Sequence, residues 1–210
     1  MFKDYNELIN FLIEGDYLKT PYIIKAFKKI DRRNFILPEY NEYAYNNEPL
    51  PIGFNQTISQ PSTVAFMIET LAPKSGQKIL EIGAGSGWQT AILSEIVKPK
   101  GKVIALELIP ELTFFAKKNV SQYNFVKKGT AQIINADGSK GHKKEAPFDK
   151  IISGAAAFKE IPRAWRDQLK IRGRIVAPVD RAVVVIDKLS KDNFSQKEYP
   201  GFVFVPLITQ

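Results

Sequence analysis

The pattern of apolar and polar positions changes character about a third of the way along the chain. Up to residue 75 it is helical. Residues 5–12 and 21–29 each carry apolar side chains at helical spacing, with Ile23, Ile24 and Phe27 on one face of the second run. Pro38, Pro49, Pro51 and Gly53 make the following stretch irregular, and a third helix is predicted over 62–71. Beyond Pro73-Lys74-Ser75-Gly76 the pattern turns into short apolar runs at 78–82, 102–107, 131–135, 148–153 and 173–178. Helical stretches at 89–97 and 161–169 lie between some of these runs. That alternation predicts an α/β fold with a mostly parallel sheet covered on both faces. Residues 181–189 and 201–207 read as two further strands joined only by a polar loop, hence a hairpin or antiparallel edge. No repeat or low-complexity segment interrupts the chain. The expected organisation is one domain, 1–210, with N-terminal helices and a loop over 1–75 and an α/β core over 76–210.

Composition narrows the classes. A chain of 210 residues that is 44% hydrophobic can bury a core without disulfides. The absence of cysteine excludes a disulfide scaffold, a thiolate metal site and cysteine nucleophilic catalysis. The N-terminus lacks a basic region followed by an apolar core, and no run approaches a membrane span, so a soluble cytoplasmic protein is expected. A net charge of +8 and a pI of about 9.5 raise the question of a nucleic-acid partner. Yet Lys117, Lys118, Lys127, Lys128, Lys140, Lys143 and Lys144 fall at helix ends and loops without interleaved aromatic residues, which favours a solvated surface.

The chemistry starts at Glu81-Ile82-Gly83-Ala84-Gly85-Ser86-Gly87, where the first strand of the core runs into a glycine-rich turn and then a helix. Such glycines let the backbone pass close under a ligand, although many strand-to-helix turns use glycine for steric reasons alone. The spacing is E-x-G-x-G-x-G, not the G-x-G-x-x-G of dinucleotide folds. It resembles the S-adenosylmethionine loop of Rossmann-like methyltransferases. Glu107 closes the next strand roughly twenty residues on, where such folds bond ribose hydroxyls, and Asp137-Gly138 follow the third. Three loops thus converge on one crevice.

Residues 49–61, PLPIGFNQTISQP, hold too much proline and glycine for a helix or central strand. On the residues alone two readings stand level: an anion cradle using backbone N–H groups with Thr57 and Ser59, and a capping turn before the next helix. The pattern P-L-P-I-G-x-x-Q-T-I-S, followed by E-x-G-x-G-x-G, closely resembles the protein-L-isoaspartate O-methyltransferase family. The likeness extends through Ile109-Pro110-Glu111-Leu112, Asp137-Gly138, Glu145-Ala146-Pro147-Phe148-Asp149, Ala155-Ala156-Ala157 and Phe204-Val205-Pro206-Leu207.

The resemblance implies a Rossmann-like repair enzyme that methylates the free carboxylate of L-isoaspartyl residues from S-adenosyl-L-methionine, leaving S-adenosyl-L-homocysteine. It implies that Thr57, Ile58 and Ser59 form the substrate loop, with Ser59 bonding the acceptor carboxylate. Gly83, Gly85 and Gly87 would pass beside the cofactor's methionine portion, Glu107 would hold the ribose, and Asp137 and Gly138 would border the adenine. Glu81, Ala84, Ser86 and Leu108 complete the implied cofactor set, and residues 155–157 would line the same cleft. The implied partners are isoaspartyl proteins and peptides, with no obligate nucleic acid and no membrane, for a monomer. The lone His142 reads as a loop residue. Asn47 stands where the family usually has aspartate, and Asn55 where it has glycine, which puts substrate handling in question. Two rivals remain, a methyltransferase of another acceptor such as RNA, and a cofactor-binding protein without turnover. Salt-sensitive RNA binding marks the first. Turnover with any isoaspartyl peptide eliminates the second.

Overall fold

The computed structural model describes residues 2–210. Five parallel strands form the centre of a seven-stranded sheet: β3 (Lys78–Ile82), β4 (Lys102–Glu107), β5 (Ala131–Asn135), β6 (Phe148–Ser153) and β7 (Leu169–Val179). With β8 (Ala182–Lys188) and β9 (Phe194–Pro200) added antiparallel, the order is β5-β4-β3-β6-β7-β8-β9. The chain first builds outward from β3 to β5, then returns to lay β6 on the other side of β3. This reversal opens a crevice at the carboxyl ends of β3 and β6, where open α/β sheets take ligands.

Successive side chains on the strands point to opposite faces, and both faces are apolar. Ile79, Val103 and Ala105 belong to one buried cluster, and Leu80, Ile82, Ile104 and Leu106 to the other. The first cluster is the larger. It joins the sheet to α3 (Pro61–Leu71), α4 (Trp88–Val97) and α5 (Pro110–Ser121), and through them to α1 (Tyr5–Glu14) and α2 (Pro21–Lys29). The second packs under α6 (Arg163–Gln168), centred on fully buried Trp165. Local chemistry agrees with these bounds: Asp4 caps α1 by accepting from the Glu7 N–H at 2.9 Å, and proline opens α2, α3 and α5.

The segment expected to be irregular holds a small separate hairpin, β1 (Leu50–Gly53) with β2 (Gln56–Ile58). Its turn residues Phe54 and Asn55 both have positive φ, 55° and 56°. Asparagine therefore keeps a turn that glycine would also make.

One element differs from the pattern reading. The last strand is Phe194–Pro200, not 201–207. Its residues are mostly solvated on this edge, so apolar periodicity could not reveal it. Residues 201–207 instead leave the sheet as an extended strap that crosses the carboxyl ends of the strands. The strap is held by Ala156 N–H donating to the Val205 carbonyl and Leu207 N–H donating to the Ala156 carbonyl, both at 2.8 Å.

Candidate active site

A cleft with three lobes lies over the carboxyl ends of β3, β4 and β6. The first lobe, about 560 Å³, is walled by Gly83, Gly85, Glu107, Leu108 and Gly138 and roofed by Val205, Pro206, Leu207 and Ile208 of the strap. The second, about 390 Å³, is walled by Ile58, Ser59, Glu81, Ala84, Ser86 and Gln89. The third runs outward between Ser59, Gln60 and Thr63 on one side and Val203 and Phe204 on the other. Thr57 and Gly154 line all three lobes, so the lobes meet there.

The glycine loop is shaped by its neighbours. Gly83 and Ala84 donate to the Leu106 carbonyl, and the Ser86 carbonyl accepts from Asn119 Nδ2 at 3.0 Å. Gly83 has φ +76°, and a Cβ there would stand 3.8 Å from that of Ala155, on the facing wall. Gly87 has a different task. It does not line the cleft; a Cβ there would come within 2.8 Å of Val120, so it serves the packing of the loop on α5.

Glu107 is 7% exposed, and each of its oxygens accepts one backbone N–H, from Gly85 at 2.8 Å and Ile109 at 3.0 Å. A carboxylate has about four lone-pair sites, so this pairing fixes its plane and leaves two acceptor positions for hydroxyls. Glu81 is fully buried. Its Oε1 accepts from Gln89 Nε2 at 3.1 Å, while Oε2 has no partner among the described residues. Burial pushes its carboxyl up to about 8. A buried orphan acceptor beside two close-approach glycines and an oriented carboxylate suits a ligand with an ammonium group and vicinal hydroxyls.

Asp137 is placed differently from Gly138. Its carboxylate does not line the cleft; it accepts from the Ser139 N–H and hydroxyl and from the Gln210 N–H at 3.1 Å, with Lys140 Nζ at 3.4 Å. Although burial works to raise it, these partners together hold the carboxyl below its ordinary range. Of residues 155–157 only Ala155 lines the cleft, since Ala156 binds the strap and Ala157 donates to the Pro178 carbonyl. His142 sits in a loop, its N–H donating to Gln168 Oε1 at 2.7 Å, and lines none of the three lobes.

On the acceptor side, the side chains of Thr57 and Ser59 make no hydrogen bond among the described residues, which leaves both hydroxyls available to a ligand. Asn47 holds the loop from behind, its Oδ1 accepting the Ser62 N–H in the first turn of α3 at 2.9 Å. An aspartate carboxylate would accept the same bond. Gln56, Gln89, Gly154 and the strap residues 205–208 were not among the expected site residues. Their signal is positional, lying in which elements end beside the β3–β6 crevice.

The family model for protein-L-isoaspartate(D-aspartate) O-methyltransferase matches residues 3–210. The chain belongs to that family. Among its relatives, the protein-L-isoaspartate O-methyltransferase of Staphylothermus marinus is 40% identical, over 96% of this chain and 92% of that one. Protein-L-isoaspartate O-methyltransferase 2 of Archaeoglobus fulgidus is 42% identical, over 88% of this chain and 84% of its own. A Plasmodium falciparum protein-L-isoaspartate O-methyltransferase solved with S-adenosyl-L-homocysteine shares the fold, with a TM-score of 0.87 over the whole of both chains at 22% identity. As a member of the family, this protein is an S-adenosylmethionine-dependent methyltransferase that acts on isoaspartyl residues of proteins.

Proposed function

We propose that the repair reaction takes place where the three lobes meet, and that the residues divide by lobe. The observation that carries this is the junction itself, Thr57 and Gly154, common to two lobes at the strand ends and one outward groove. Glu107 would accept hydrogen bonds from ribose hydroxyls, with Gly85, Leu108 and Gly138 around the nucleoside. Glu81, Gly83, Ala84 and Ser86 would hold the methionine portion. When bound, S-adenosylmethionine supplies an electrophilic sulfonium methyl group.

The protein's own task is positioning. The isoaspartyl carboxylate is already an anion at neutral pH, so no general base is required, and none lines the acceptor groove. The Ser59 hydroxyl, with Thr57 beside it, donates to one carboxylate oxygen and leaves the other free to attack. Fixing that oxygen in line with the methyl group removes much of an entropic barrier worth about 7–11 kcal/mol in well-oriented systems. The strap, apolar at Val203, Val205, Pro206 and Leu207, sheds water from the junction.

We further infer a monomer acting in the cytoplasm as one unit over 1–210, without a nucleic-acid partner. A single buried cluster running from α1 to β8 supports the unit. No helix among the described residues is long and apolar enough to cross a membrane.

Equilibrium binding of S-adenosyl-L-homocysteine tests the division. Glu107→Ala should weaken it roughly 10–100-fold, the worth of hydrogen bonds to a charged group, while Ser59→Ala, at the edge of the second lobe, should weaken it far less. Equal losses in both variants would contradict the assignment of lobes.

A further inference from the structure

Arg32 is the one wholly buried guanidinium among the described residues, 0% exposed, and it stands directly behind the substrate loop. Its Nη1 donates to the carbonyls of Ala44 at 2.8 Å and Asn46 at 3.3 Å; its Nη2 donates to those of Glu48 at 2.8 Å and Ser59 at 3.3 Å. The guanidinium also lies 5.7 Å from the ring centroid of Trp88, which opens α4 next to the glycine loop. It has no ion-pair partner among the described residues. The acids beside it are engaged elsewhere: Asp31 accepts from the Tyr45 hydroxyl and the Arg33 N–H, and exposed Glu48 accepts from Asn46 Nδ2. Burial lowers the guanidinium to about 10, so it stays a cation at neutral pH.

A buried charge without a direct ion-pair partner is costly to keep, and the exposed Glu48 gives it only a Coulombic attraction. Four carbonyl dipoles offset part of that cost, and an anion brought to the Ser59 hydroxyl would offset more. Resting on the acceptor site proposed above, we infer that Arg32, seated behind Ser59, supplies the positive field that selects an anionic acceptor. The field acts through Ser59, since Arg32 itself is sealed from the cleft. Methyl transfer discharges the acceptor, so this cation favours the bound carboxylate at least as much as the transition state. Its effect should fall on acceptor binding and spare kcat.

The test compares an isoaspartyl peptide with the same peptide carrying a carboxamide in place of the isoaspartyl carboxylate, used as an inhibitor. Arg32→Met should raise KM for the isoaspartyl peptide about tenfold or more. It should change kcat, the amide's inhibition constant and S-adenosyl-L-homocysteine affinity by less than about threefold, and Arg32→Lys, which keeps the charge, should fall between. Weakening of peptide and amide together would reduce Arg32 to a structural support, and no change in either would overturn the proposal outright. Should the variants not fold, the wild-type preference for the carboxylate over the amide decides. A buried source predicts that it survives a rise from about 50 to 500 mM salt, and collapse would assign it to surface lysines. Wild-type enzyme that methylates no isoaspartyl peptide would instead sink the acceptor assignment on which the inference rests.

Discussion

Glu81 and Ser59 carry the account at the scale of single residues. Glu81 has its carboxyl raised to about 8 by burial, so the folded protein binds this proton more tightly than the unfolded chain. Its contribution to stability is complete below the ordinary carboxylate range and is lost as pH rises towards 8. Glu81→Gln should therefore flatten the fall in melting temperature of the cofactor-free protein between about pH 5 and 8, and a fall of undiminished slope would contradict this. Ser59 offers a hydroxyl with no competing partner among the described residues. Ser59→Ala should lower kcat/KM for an isoaspartyl peptide roughly tenfold or more. Several residue identities were legible in the sequence because strand ends and glycine spacing point into a crevice. Asp137 was legible as an acid at a strand end, but not its pairing with the Gln210 N–H, which depends on where the strap comes to rest.

At the scale of elements, the substrate loop is held by what lies behind it. Asn47, from the preceding loop, accepts the Ser62 N–H in the first turn of α3, so Asn47→Ala should cost about 1 kcal/mol of stability while Asn47→Asp costs little, as equilibrium denaturation would show. Asp137 pins the far end of the strap and its carboxyl is held low, so that contribution is present above the ordinary carboxylate range and lost as pH falls through the folded value. In Asp137→Asn, amide exchange over residues 205–210 should speed up, and exchange that stays slow would show the strap to be held elsewhere. Strands β3, β4 and β6 could be read from apolar runs because they are largely buried on both faces, and the edge strand β5 because Ala131 and Ile133 are buried. The edge strand β9 could not, since four consecutive residues, Ser195 to Glu198, are exposed. The strap reads as a strand in the sequence because its apolar residues roof a cleft instead of filling a core.

At the scale of the whole molecule, the sheet reversal between β3 and β6 explains why residues from six separate segments, near 57, 83, 107, 138, 154 and 205, share one cleft. No local pattern encodes that convergence, which follows from topology. The positive charge, by contrast, is spread among lysines that are partly tied to carboxylates, so methyl transfer should be insensitive to added RNA at physiological salt; inhibition by RNA would contradict this.

The most direct test is methyl transfer from labelled S-adenosylmethionine to a peptide containing L-isoaspartate, beside the same peptide with ordinary aspartate. The account predicts base-labile label on the isoaspartyl peptide alone, as a carboxyl methyl ester requires. Equal labelling of both peptides, base-stable label, or no transfer despite cofactor binding would contradict it.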